Sequence, residues 1–427
     1  MQPRNTSLSA GISPADPASP DAITLSCADR LGFASLVCCV GLTQSSLIAF
    51  LPILSTKTGL SVLSLGIVTS CGMLAMLGGA PLAGWLSDRA GRRQTLMVCL
   101  AIFCVAQLFL AAIVSAAMNG TLSPSLCLSL LMICRLLHGI ATGGLLPVAQ
   151  AWVADLTGIQ GRMAGLAAIS AGFSAGRLAG PLLVSVTLPL GATMPLWVMA
   201  LLPLPLGSIL LHRPPPESRH RNIRPRSGAA CWRNPAILRL LILAAIVNIA
   251  FGTLHFVLGP LFQQRLGWTA QMAGIRLGWI TALMAALMLA NQMSVIPRLT
   301  AWPRHTLAVG IAVIWLSALC LTCGQSVWSL GAGVCLLGQG LALSGPACTA
   351  LVSIAAGGRQ GAASGLLSSV LTLGYAAGAT LGGFLFTLGD TWPAMTALVI
   401  LPLILPFFPL RESWTKLSDE RQIASDA

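Results

Sequence analysis

The chain has 427 residues, of which 56% are hydrophobic and only 8% are charged, with a formal net charge of +13. A soluble domain carries about 25% charged residues, so this composition excludes an ordinary water-soluble fold and requires lipid as the solvent for most of the chain. The positive charge does not describe a nucleic-acid binder, because the arginines fall in short clusters between apolar stretches instead of forming a patch.

Residues 1–28 are rich in Ser, Pro and Ala, and are expected to form a disordered cytoplasmic tail with no secretory signal. A helix crossing a hydrocarbon layer of roughly 30 Å needs about 20 apolar residues. Such stretches occur near 31–54, 62–86, 94–117, 126–150, 163–187 and 192–211, and again near 236–262, 271–296, 305–324, 328–350, 361–387 and 391–410. The expected fold is therefore an all-α integral membrane protein of twelve spans in two six-helix halves. The halves would cover 29–211 and 236–410, joined by a basic cytoplasmic linker at 212–235 and followed by a tail at 411–427.

Orientation follows from the basic residues. Lys57 and Arg265 alone lie in the loops of one side, while Arg135, Arg177 and Arg276 lie within spans. All other Lys and Arg lie on the opposite side, among them Arg89, Arg92, Arg93, Arg162 and the arginines of the linker. Both termini are accordingly expected in the cytoplasm. The excess of Arg over Lys, with Lys57 and Lys416 the only lysines, suggests a GC-rich bacterial source and thus an inner membrane. Trp85, Trp152, Trp232, Trp302 and Trp414 fall near inner span ends, and Trp197, Trp268, Trp328 and Trp392 near outer ones, as an interfacial belt would.

The two halves carry related patterns. Gly172, Gly176 and Gly180 recur every four residues in the fifth span and are followed by Pro181; Gly374, Gly378 and Gly382 repeat the spacing in the eleventh. Small residues at this spacing let helix backbones approach closely, which replaces the missing hydrophobic driving force in lipid. Their recurrence points to an internal duplication, and duplicated halves with a site between them are a transporter design.

Between the second and third spans lies Gly84-Trp-Leu-Ser-Asp88-Arg89-Ala-Gly91-Arg92-Arg93. This segment resembles the G-x-x-x-D-R-x-G-R-R signature of the major facilitator superfamily. Arg135-x-x-x-Gly139-x-x-x-Gly143-Gly144 is similar to that family's fourth-helix motif, and the fifth-span glycines with Pro181 resemble the antiporter motif of its exporters, with Leu183-Val184 in place of a trailing Gly-Gly. The resemblance covers residues 30 to 410. It implies a transporter, not an enzyme, that rocks between two states around a small-molecule site near mid-membrane. It further implies a gating latch of Gly84, Asp88, Arg89, Gly91, Arg92, Arg93 and Asp155, with Asp88 at the N-terminal end of the eleventh helix and Arg92 paired to Asp155. The matching loop of the second half has Val295, Leu299 and Trp302 where the first has Gly84, Asp88 and Gly91, so the latch is expected to be one-sided.

No glycine precedes a lysine as a phosphate-cradling loop requires, so an ion gradient, with protons as the expected partner, is the default energy source. No cofactor or metal is implied, and Cys320-x-x-Cys323 has neither a second pair nor a neighbouring His. A monomer in the lipid bilayer is the expected working form.

Every acid lies in a tail, a loop or a span end, whereas the ionisable groups within spans are Arg135, His138, Arg177, His255 and Arg276. Intramembrane charges usually face a polar cavity or a partner. Arg135, His138 and Thr142 lie within about 60° of one another on a helix, and Ser170, Ser174 and Arg177 form a second stripe. With Gln44, Asn248, His255, Thr372 and Tyr375 they make up the candidate cavity lining. Two other readings stay open: Arg135 could brace backbone carbonyls, and each His could sit in a helix interface. Arg276, near the outer boundary, is expected to snorkel. A cavity of this kind is electropositive and fits an anionic or chelating molecule, of the siderophore or organic-acid type. Export driven by protons is the leading expectation, import of an anionic nutrient the second, and a non-transporting sensor the third.

Overall fold

The computed structural model describes residues 27–206, 234–299, 301–356, 360–403 and 408, with the side chains of 27–30 and 158–163 left aside. The expected tails, the linker with Trp232, and Trp414 lie outside those residues, apart from the few positions where the ranges overlap. Among the described residues the protein is helical, without strands. Ten helices among the described residues are long and apolar enough to cross a membrane. In the first half these are α1 (Cys27–Thr58), α2 (Val62–Ala90), α3 (Arg92–Met118), α4 (Pro124–Thr157) and α5 (Ala164–Leu190); α6 (Met194–Leu206) is apolar but shorter. The second half has α7 (Pro235–Leu266), α8 (Ala270–Ser294), α9 (Pro303–Cys323), α10 (Val327–Ala356), α11 (Gln360–Leu388) and the shorter α12 (Trp392–Leu403).

Helical hydrogen bonding runs unbroken from Pro124 to Thr187, yet α5 folds back on α4, since a Cβ on Gly165 would strike the Val153 side chain. Other junctions use local signals. Ser61, Ser123 and Thr269 accept from backbone N–H groups at the starts of α2, α4 and α8, satisfying donors that a helix start leaves unpaired. Between α2 and α3, Gly91 adopts φ +92 and donates its N–H to the Ser87 carbonyl at 3.1 Å. A side chain at this position would strain the turn.

The glycine ridges have equivalent partners in the two halves. Cβ atoms on Gly172, Gly176 and Gly180 would run into the backbone of α1 at Ala34, Cys38 and Leu42. Those on Gly374, Gly378 and Gly382 would meet α7 at Ala245, Ile249 and Thr253. Helix α5 therefore lies on α1 as α11 lies on α7, backbone against backbone. Pro181, just past the first ridge, accepts from Ser185 and approaches Gly278 of α8 through its carbonyl.

Among the described residues, the contacts between the halves gather at one end. Ser70 of α2 reaches Thr380 at 2.7 Å and donates to the Ala376 carbonyl of α11; Ser185 of α5 donates to the Ile275 carbonyl of α8 at 2.8 Å. Gly66 faces the Ala379 carbonyl, Gly274 faces Ala49, and Gly259 faces Pro52. All these contacts lie toward the α1–α2 and α7–α8 loops. At the opposite end, Gly78, Gly84, Gly361 and Gly365 have open space where a Cβ would stand. A cleft therefore opens between the halves toward the α2–α3 loop.

One tryptophan departs from the expected belt. Trp152 is 1% exposed and packs edge-on against Phe33 with ring centroids 5.1 Å apart. It is a core residue of the first half, because the end of α4 is covered there by α1. Trp85, Trp302, Trp328 and Trp392 are exposed.

Candidate functional site: a cleft between two helical halves

The cleft's floor is built from α5, α7 and α11. Arg177 stands at the middle of α5, on the face turned away from the glycine ridge, and is close enough to interact electrostatically with His255 of α7 and Tyr375 of α11. His255 Nδ1 and the Tyr375 hydroxyl lie 3.0 Å apart, and Phe251 stacks on the imidazole at 5.0 Å between centroids. An aromatic shelf on the second half thus faces a guanidinium on the first. Arg177 is half-buried and has no hydrogen-bond acceptor or carboxylate partner among the described residues. Ser170 and Ser174 continue its face toward the open end, as Ser364 and Ser368 continue that of Tyr375.

The other candidates are dispersed. Thr372 donates to its own helix at Ser368, Asn248 to Ala244, and Gln44 reaches Met76 Sδ at 3.7 Å across to α2. Arg135, His138 and Thr142 do not join Arg177. Arg135 lines a small separate cavity with residues of α1, α3 and α6. His138 lies 5.3 Å from the Phe103 ring, and Thr142 donates back to the His138 carbonyl. The shared stripe on α4 faces the interior of its own half because Gly139 and Gly143 hold the adjacent face against α2. Periodicity placed the three on one face of a helix but carried no information about which neighbour that face meets. Arg276 lies over the Trp268 ring at 4.8 Å, a cation–π contact at the boundary.

At the open end, Arg92 donates to Asp88 at 2.9 Å, to Asp155 at 3.1 Å and to the Ser87 hydroxyl at 2.7 Å. Arg89 stacks over Trp85 at 4.2 Å, and Arg93 opens the first turn of α3 beside Gly91. Asp88, 71% exposed, has Arg92 as its ion-pair partner and makes no hydrogen bond or ion pair to α11 among the described residues. In this conformation the loop is tied within its own half. Asp88, Asp155 and Asp390 are the acids whose side chains are described, and all three stand at span ends.

Sequence reasoning missed two buried polar features. Gln107, 4% exposed, lines the small cavity with Arg135; a Gln midway along the apolar body of α3 was its only signal. Arg265 was read as a loop residue, but it donates to Asp390 at 2.6 Å and to the Leu321 and Gly324 carbonyls at 2.7 and 2.9 Å. It clasps α7 to the α9–α10 and α11–α12 junctions at the packed end.

Residues 33–357 match the family model of the Major Facilitator Superfamily, and the chain belongs to that family of membrane transporters. The multidrug resistance protein 1 of Bacillus subtilis is 25% identical over 362 residues, covering 82% of this chain and 88% of its own length. The class D tetracycline resistance protein of Salmonella ordonez is 27% identical over 334 residues, with 75% and 80% covered. A crystal structure of the nucleoside transporter NupG superposes with a TM-score of 0.73 at 13% identity, covering 90% of this chain and 99% of that one. The protein is thus a multi-pass transporter with relatives among drug-resistance proteins.

Proposed function

We propose that the protein exports a small anionic or chelating organic molecule across the inner membrane in exchange for protons, with both termini cytoplasmic. The observation that carries the substrate class is Arg177, which faces His255 and Tyr375 across the halves without a carboxylate partner among the described residues. A guanidinium in that position favours carboxylate, hydroxamate or phosphate groups, because it donates paired N–H bonds to planar oxyanions. The His255 and Tyr375 rings, backed by the buried Phe251, add an apolar surface for the rest of the molecule. A quaternary ammonium compound would meet repulsion there.

The bias of basic residues toward the α2–α3 side supports a cytoplasmic assignment of the open end, so the conformation is inward-facing. Export is favoured by the fifth-span glycine motif and by relatives named for drug resistance. His255 is the group in the cleft placed to carry the coupled proton, since its Nδ1 lies 3.0 Å from the Tyr375 hydroxyl and a proton can pass between the two.

Inverted vesicles containing the full chain test this reading. An imposed gradient, acid inside the vesicle, should drive accumulation of hydroxamate or aromatic-carboxylate probes against their own gradient, and an uncoupler should abolish it. Accumulation that ignores the proton gradient removes proton coupling. Accumulation only in right-side-out vesicles makes the protein an importer.

A further inference from the structure

A buried arginine of the first half, Arg135, stands apart from the cleft. Arg135 is 9% exposed and makes no hydrogen bond or ion pair among the described residues. Its guanidinium carries five N–H donors and a permanent charge. A buried charge left without a partner is strongly destabilising, and a cation at mid-membrane already costs about 2.5–3.5 kcal/mol on insertion scales. The side chain lines a cavity of about 20 Å³ with Thr43, Gln107 and the apolar Phe50, Leu110 and Met199.

The lining specifies what could sit there. The Thr43 hydroxyl donates to the Val40 carbonyl at 3.1 Å, so its proton is committed. The other polar groups lining the cavity are the Arg135 guanidinium and the carboxamide of Gln107, which is 4% exposed and has no hydrogen-bond partner among the described residues. A guanidinium, and a carboxamide that can turn its N–H₂ inward, against an apolar wall suit a ligand that accepts hydrogen bonds. Its size admits about one atom-sized group, too small for an organic carboxylate. A water would satisfy hydrogen bonds but leave the charge uncompensated.

We propose that Arg135 and Gln107 bind a single halide-sized monovalent anion, chloride in the cell, inside the first half. The anion neutralises Arg135 and ties α3 to α4 next to α1 and α6. It is a structural ligand, separate from the transported molecule, and does not depend on the reading of the cleft.

The test uses the full chain in lipid nanodiscs, with chloride or bromide replacing gluconate at constant ionic strength and pH. The thermal unfolding midpoint should rise by several degrees and saturate with either halide, as binding to the native state alone requires. Gln107→Leu should shift half-saturation about tenfold upward, Arg135→Gln should abolish the response, and Arg177→Gln should leave it intact. Bromide should give an anomalous diffraction peak beside Arg135. A midpoint independent of halide, as for a cavity holding only water, overturns the proposal. So does a response that Gln107→Leu leaves unchanged, or one that disappears with Arg177→Gln, which would place the anion in the cleft.

Discussion

The two ends of the bundle differ in how closely the halves approach. At one end Gly66, Gly259 and Gly278 hold backbone or side-chain atoms of the opposite half at distances that exclude a Cβ, Gly274 leaves room only for a tight one, and two hydroxyls bridge the seam. At the other, Gly84, Gly361 and Gly365 touch nothing. A glycine in open space has no packing reason to be one in this conformation. Glycines on the splayed end would be suited to a second conformation in which that end closes and the first one parts. This is the exchange that alternating access requires.

The contrast can be broken by adding side chains, and the expected effects descend in order. Gly176→Leu acts within a half, against the Cys38 carbonyl of α1. Backbone cannot yield there, so overpacking of about 3 kcal/mol or more should leave little folded protein in a detergent-stability assay. Gly66→Leu acts across the seam, where a Cβ would lie 2.8 Å from the Ala379 carbonyl. Each half can still fold, so the variant should be stable but held open at the packed end, with a cysteine placed near Ser70 labelled severalfold faster. Gly84→Leu should leave stability in this conformation within about 0.5 kcal/mol while transport falls at least tenfold, since the splayed end could no longer close. Equal loss of folded protein in all three variants would erase the distinction between the ends. Ser70→Ala removes the bridge to Ala376 and Thr380 and should shift the balance of states by only about 1 kcal/mol, visible as a modest rise in the same labelling rate.

Much of this was legible before any coordinates. Twelve apolar stretches and the glycine ridges are local patterns, and local patterns survive folding because lipid leaves the backbone few choices; the Arg92–Asp155 pair came from the family resemblance alone. What was not legible depends on neighbours. Arg135 and Arg177 look alike in the sequence, each a mid-span arginine on a polar stripe, yet one turns into its own half and the other into the cleft. Trp152 sits at a span end as a belt residue would, but α1 covers it. Arg265 reads as a loop charge, and only the meeting of three junctions at the packed end makes it a clasp. In each case the side chain is readable and the identity of the facing helix is not.

The separation of the two arginines also bears on transport. If Arg177 contributes charged hydrogen bonds worth about 1.5–3 kcal/mol, its loss should weaken apparent affinity for an anionic probe about ten- to hundredfold, without loss of thermal stability. The central claim is that the cleft selects anions through this side chain. The most direct measurement is the initial rate of proton-driven uptake into inverted vesicles, compared for an anionic hydroxamate and a lipophilic cation in the parent and Arg177→Gln proteins. The account predicts that the parent carries the hydroxamate and rejects the cation, and that Arg177→Gln loses hydroxamate transport while remaining folded. Undiminished hydroxamate uptake by Arg177→Gln, or cation transport by the parent, would contradict it.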